Sequence, residues 1–235
     1  MPTSYIGAGS AVQTVTTTLT IAGHADSQAG DIHIAIIISI NNTAVTPPAG
    51  YTALSQANFT GSRGDIFWKR LTASGVGSAD FTVAGTTTSY GIIACFRGCK
   101  TTGNPYGAVT TSSNASADAV TYATITPHNS SGQLVAVGLY AEDATTPGTV
   151  SGAVYTFAAP TIDTEQATNE DASIFMSLAP MTTNAASGAI TQATTSTVDA
   201  VNQGILFDLI PADVYETGGQ GGITYPRLER GGRQR

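Results

Sequence analysis

The chain predicts an all-β fold: a two-sheet antiparallel sandwich of the jelly-roll kind, with an internal pseudo-repeat and an extended C-terminal arm. Three observations carry this. Ser and Thr fill about a quarter of the 235 residues and 26 more are Gly, a strand-and-turn composition. Apolar residues alternate over short stretches broken by Gly, Pro and Asn, and no segment of twelve or more residues has a helical period. The second half repeats the pattern of the first. With 41% hydrophobic and 11% charged residues the composition is not that of a disordered chain, and with only Lys69 and Lys100 as lysines it is not that of a helical bundle.

Val12 to Ile21 reads as a Thr-rich strand with Val15, Leu19 and Ile21 apolar. After Gly30-Asp31, the β-branched run Ile32 to Ile40 suits a strand buried on both faces, and it is too short to cross a bilayer as a helix. Pro47-Pro48-Ala49-Gly50 makes a turn into Tyr51 to Gln56. Asp65 to Leu71 alternates, with Ile66, Trp68 and Arg70 on one face and Phe67, Lys69 and Leu71 on the other. Asp80 to Ala84 and Ser89 to Phe96 complete the first half-unit, residues 12–99.

The second half-unit, 117–211, follows the same order. Gly132-Gln133-Leu134 lines up with Gly30-Asp31-Ile32, Ala172 to Pro180 with Asp65 to Ala73, and Gln203 to Pro211 with Tyr90 to Gly98. Two arrangements fit: tandem small sandwiches, or halves interleaved in one sandwich. A half with four or five short strands owns a thin core, so a single interleaved domain over 1–215 is expected. Lys100 to Ser116 is polar and reads as a linker or long loop. Residues 216–235 form a Gly- and Arg-rich arm with no strand pattern.

Sixteen acids against nine bases give −7, unevenly spread. Arg227, Arg230, Arg233 and Arg235 face only Glu229, so the last nine residues carry +3, and residues 1–226 carry −10. Such a body is repelled by phosphate, so no nucleic acid is expected on the main domain. The arm is open to three readings, a solvated tail, a contact with nucleic acid or a contact element for an acidic neighbour, with Tyr225 and the four arginines as subunit-contact candidates. Met1 to Ser10 carries no secretory signal, and neither membrane nor cofactor is expected.

Cys95 and Cys99, about 13 Å apart if extended, read as buried thiols rather than a disulfide. His24, His33 and His128 are scattered without zinc spacing, and no nucleophile elbow occurs, so no catalytic or metal site is expected. The carboxylate pairs Glu142-Asp143, Asp163/Glu165 and Glu170-Asp171 read as solvated loop rims. Arg63-Gly64-Asp65 reads as turn chemistry before a strand. Trp68, mid-strand, is expected in a core, which leaves Tyr51 and Tyr106 as candidate glycan contacts.

The succession Gly30-Asp31 plus apolar strand, Pro47-Pro-Ala-Gly-Tyr-Thr, Ile66-Phe-Trp-Lys-Arg-Leu-Thr-Ala, Asp80-Phe-Thr-Val and Ile92-Ile-Ala-Cys-Phe-Arg-Gly resembles β-sandwich domains of structural proteins of tailed bacteriophages. In those, a Gly-Asp strand, a Pro-x-Gly-Trp turn, a Tyr/Trp-Lys strand and a Tyr/Phe-Arg-Gly strand end recur. The resemblance covers Gly30 to Gly98, and the rest only through the repeat. It departs at Tyr51, where Trp is usual, and at Cys99, where an aliphatic residue is common. It implies a non-enzymatic virion component, a capsid decoration or tail protein. Such a protein is made in a host cytoplasm and assembles with copies of itself and other virion proteins. The alternative is a module that binds host-surface glycan.

Overall fold

The computed structural model describes residues 2–75, 77–114, 119–141, 147–166, 172–194 and 201–212. The arm's candidates Tyr225, Arg227, Arg230, Arg233 and Arg235 lie outside these residues, as do Glu142-Asp143 and Glu170-Asp171.

In the first half the strands are β1 (Ser4–Ala8), β2 (Val12–Thr14), β3 (Thr18–Ala22), β4 (Ile32–Ile40), β5 (Val45–Thr46), β6 (Thr52–Phe59), β7 (Ser62–Arg70), β8 (Ser78–Val83) and β9 (Ser89–Arg97). The second half adds β10 (Tyr106–Asn114), β11 (Ala119–Tyr122), β12 (Gln133–Tyr140), β13 (Pro147–Gly152), β14 (Ile162–Gln166), β15 (Ala172–Pro180), β16 (Ile190–Thr194) and β17 (Asn202–Leu209). The all-β sandwich and its internal repeat are therefore observed.

Eight strands of the first half match the eight of the second one to one, and β2 is extra to the first. One large sheet has the order β1-β9-β4-β7-β6, with β2 also on β9, and the other has β10-β17-β12-β15-β14. The small sheets are β3-β8-β5 and β11-β16-β13. Among the described residues every strand pairing is antiparallel and stays within its own half, and one isolated bridge, Cys99 to Pro211, joins the halves. The halves are thus not interleaved strand by strand, as the sequence had led us to expect. The two large sheets instead pack face to face and a small sheet covers each outer face, giving four layers.

This layering explains the near-continuous apolar runs. Ile34, Ile36 and Ile38 of β4 face Val135, Val137 and Leu139 of β12 in a shared central core. Ala35 and Ile37 point the other way, onto Leu19, Phe81 and Val83 of the first small sheet. Leu134, Ala136 and Tyr140 do the same against Val120, Val150 and Ile190. A strand sandwiched between two cores has no polar face to alternate. The thin core of each half is supplemented by the one they share.

Register corrects the sequence match. His33 pairs with Lys69 and Cys95, while Leu134 pairs with Ala179 and Asp208. With β9 and β17 matched as Cys95 on Asp208, His33 therefore corresponds to Leu134, one residue off the sequence match, and Lys69 corresponds to Ala179. A one-residue slip sends each side chain to the wrong face. Ile32, for example, lies in the shared core and Leu134 in an outer one.

Two strands differ from expectation. Val12 to Ile21 splits into β2 and β3, with Thr16 capping the crossing through bonds to Thr14 and Thr18. The polar stretch after Lys100 contains β10, an edge strand whose backbone pairs with β17 while its side chains stay half-exposed.

Candidate functional site

The row Lys69–His33–Cys95 crosses β7, β4 and β9 on the outer face of the first large sheet. His33 is almost fully buried, so its nitrogens need partners. Its Nε2 lies 2.9 Å from Ser27 Oγ, and its Nδ1 lies 3.4 Å from the Tyr51 hydroxyl. Ser27 Oγ is also 2.7 Å from the His24 carbonyl, which only accepts. The serine proton therefore goes to His24, His33 Nε2–H donates to Ser27, and Nδ1 accepts from Tyr51. In this arrangement Ser27 is not primed by a base, which is the reverse of a nucleophile–histidine couple. Burial first, then the positive charges of Lys69 and His24, push the His33 pKa down to about 4, against a raising effect from Asp31. Histidine here is neutral at physiological pH.

Asp31 anchors the other side. Its buried carboxylate takes Nε of Arg97 at 2.9 Å, Nη2 at 2.8 Å and the Gln28 amide at 2.8 Å. Burial pushes this carboxyl up, but the Arg97 and Gln28 bonds outweigh it, and its pKa lies below the ordinary value. Cys95 Sγ sits 3.6 Å from the same carboxylate, and burial pushes its pKa up to about 11. Cys95 and Cys99 are both free and buried, as expected. These bonds fasten the 23–31 loop to β9.

Tyr51 stands edge-on to Phe81, with the Lys69 ammonium 5.4 Å from its ring centroid. Together with His33 and residues 71–75 and 77–79, they line a cleft of about 290 Å³. Tyr106, the other candidate, is half-buried at the start of β10, against the shared core. The structure does not bring the two tyrosines together. Trp68 packs on the margin of the shared core with Arg70 over its ring. Arg63-Gly64-Asp65 lies inside β7, where Asp65 is buried and paired with Arg63 at 3.0 Å. That tripeptide is strand rather than turn, and it is not displayed. Asp163 is exposed on the edge strand β14 rather than on a loop rim.

Sequence reasoning missed the His33 network. The one signal was a histidine inside an apolar strand, and a buried polar group in that setting needs partners from elsewhere. Those partners, Ser27 and Tyr51, come from other segments of the chain.

At the matching place in the second half the chemistry differs. Asp208, equivalent to Cys95, accepts from the Ala108 and His128 amides. The row reads Ala179–Leu134–Asp208. Tyr155, which precedes β14 as Tyr51 precedes β6, lies 2.7 Å and 3.0 Å from the carbonyls of Ala185 and Thr183 in the loop after β15. Here the loop is tied down onto its tyrosine.

Among the described residues no group of three or more His, Cys, Asp or Glu could hold a metal ion, and no helix is long and apolar enough to cross a membrane. No family model, no curated protein and no solved structure matches the chain.

Proposed function

We propose that the protein is a non-enzymatic structural component of a bacteriophage particle, a capsid decoration or a tail- or fibre-associated protein, that assembles through its C-terminal segment. The observation that carries this reading is charge segregation along the repeat. Residues 1–100 hold four acids and five bases, residues 101–226 hold eleven acids and no base, and four arginines follow. Guanidinium–carboxylate pairs form well across such a division.

The described chain ends where the halves meet. Lys100 N bonds the Ile210 carbonyl at 2.7 Å, and Ala212 N bonds the Gly98 carbonyl at 2.8 Å. At the other end of the second large sheet Tyr140, Ser173 and Asn202 form one row. The acids Glu142, Asp143, Glu170, Asp171 and Asp199 adjoin these strand ends in sequence. A basic segment that follows Ala212 in sequence, and acids that adjoin the opposite strand ends in sequence, suit a head-to-tail contact between copies, the kind that builds rings or tubes. Deleting residues 216–235 is expected to leave a folded protein that no longer enters particles. Normal incorporation of the shortened chain would refute the reading.

A second reading, a module that binds host-surface glycan, is favoured by one observation, the open cleft beside Tyr51. A glycan array probed with the whole chain tests it.

A further inference from the structure

The two halves share a fold, so a place where one is closed and the other open is informative. In the second half the position between the tyrosine before the edge strand β14 and the loop that leads to the small sheet is shut. The Tyr155 hydroxyl holds the loop carbonyls, and the wall behind it is Leu134, Ala179 and Met181. In the first half the Tyr51 hydroxyl turns to His33 instead, at 3.4 Å. Thr72, Ala73, Ser74, Gly75 and Gly77, which follow β7, line the 290 Å³ cleft beside Tyr51. His33 and Lys69 replace Leu134 and Ala179 in its wall.

Lys69 makes no ion pair among the described residues, where the ion pairs are Arg63–Asp65 and Arg97–Asp31. Its neighbour is the Tyr51 ring. The acids in the network next to it are already committed, Asp31 to Arg97 and Gln28. A half-buried cation with an aromatic wall and the hydroxyls of Ser74 and Ser78 on the rim forms a polar lining with one fixed positive charge. Ligand pockets for drug-sized molecules run to about 300–1,000 Å³, so this cleft suits a single sugar ring.

We infer that the cleft bounded by Tyr51, His33, Lys69, Ser74, Gly77 and Ser78 binds one carboxylate-bearing sugar residue, the carboxylate on Lys69 and the ring hydroxyls on the Tyr51 and serine side. This rests on the glycan-binding reading and names its ligand class and site. It is independent of assembly through the C-terminal segment.

The test is a titration of the whole isotopically labelled chain with D-glucuronate, followed by amide NMR, with D-glucose and acetate as controls. Glucuronate is expected to shift the resonances of Tyr51 and of the loop after Leu71 saturably in the millimolar range of a single-sugar site. Glucose and acetate are each expected to bind at least about tenfold more weakly, the worth of one good polar contact. Lys69→Ala, which installs the second half's residue, and Lys69→Gln should each weaken glucuronate about tenfold while circular dichroism and the thermal midpoint stay near wild type. A response to glucose equal to that for glucuronate, unaltered in both Lys69 variants, would overturn the acidic ligand and keep a glycan site. Acetate binding as well as glucuronate would overturn the sugar. Silence from all three would overturn the site, whatever the truncation experiment shows.

Discussion

The two halves of this molecule share an order of eight strands, to which the first adds β2, and they differ in interior chemistry. The first fastens its outer face with a charged and polar network, His33–Ser27, Cys95–Asp31 and Asp31–Arg97. The second uses apolar packing and one carboxylate, Asp208, that accepts two backbone amides. The lesson is that topology is carried by the double-sided apolar strands, β4 and β12, while the row His33–Cys95 or Leu134–Asp208 is free to change. Function, on the proposed reading, lies in those changes and in the charge contrast between the halves.

Asp208→Ala should have the largest effect. It removes the charged acceptor of two part-buried amides, Ala108 and His128, and a bond to a charged group is worth about 1.5–3 kcal/mol, so a loss of about 3 kcal/mol in denaturant unfolding is expected. Cys95→Ala at the matching position should cost only about 1 kcal/mol, since a small apolar group is lost. Equal losses would break the comparison.

The acid response should be specific to the first half. The folded pKa of His33 lies below its ordinary value of 6.5, at about 4. The unfolded chain therefore binds the proton first, and stability falls as pH drops from about 6.5 to about 4, by up to about 3 kcal/mol. Asp31, lowered from its ordinary 3.8, adds a further loss below that value. His33→Leu, the second half's residue, should flatten the first window and leave the second. A pH series of thermal midpoints reads both.

Arg97→Ala leaves the Asp31 carboxylate buried without its cation. Because the arginine side chain is 30% exposed and screened by solvent, the loss expected is smaller than that for Asp208→Ala and short of that for a fully buried pair. Chemical denaturation at pH 7 measures it.

The smallest difference separates the tyrosines. Tyr155→Phe frees two loop carbonyls and should cost about 1 kcal/mol. Tyr51→Phe, losing one long bond, should cost less than about 0.5 kcal/mol.

Much of the fold was legible because strand periodicity is local. The runs at Ile32 and Leu134, the turn before Tyr51 and the repeat itself follow from neighbouring residues. The register was not legible, since two strands buried on both faces offer no polar stripe to fix a one-residue slip. β10 escaped notice because it is held by backbone pairing to β17, which its Thr and Ser side chains do not announce. Of the candidate site, Tyr51 was visible as a loop aromatic. His33 and Lys69 were visible only as members of strands, and what joins them is cross-strand register.

The proposed assembly meets its most direct test in sedimentation velocity of the purified chain. The full chain is compared with a variant carrying Arg227→Ser, Arg230→Ser, Arg233→Ser and Arg235→Ser, at low and high salt. Concentration-dependent association of the full chain that is lost in the variant and weakened by salt is the predicted result. Identical sedimentation of the two proteins under every condition would contradict it.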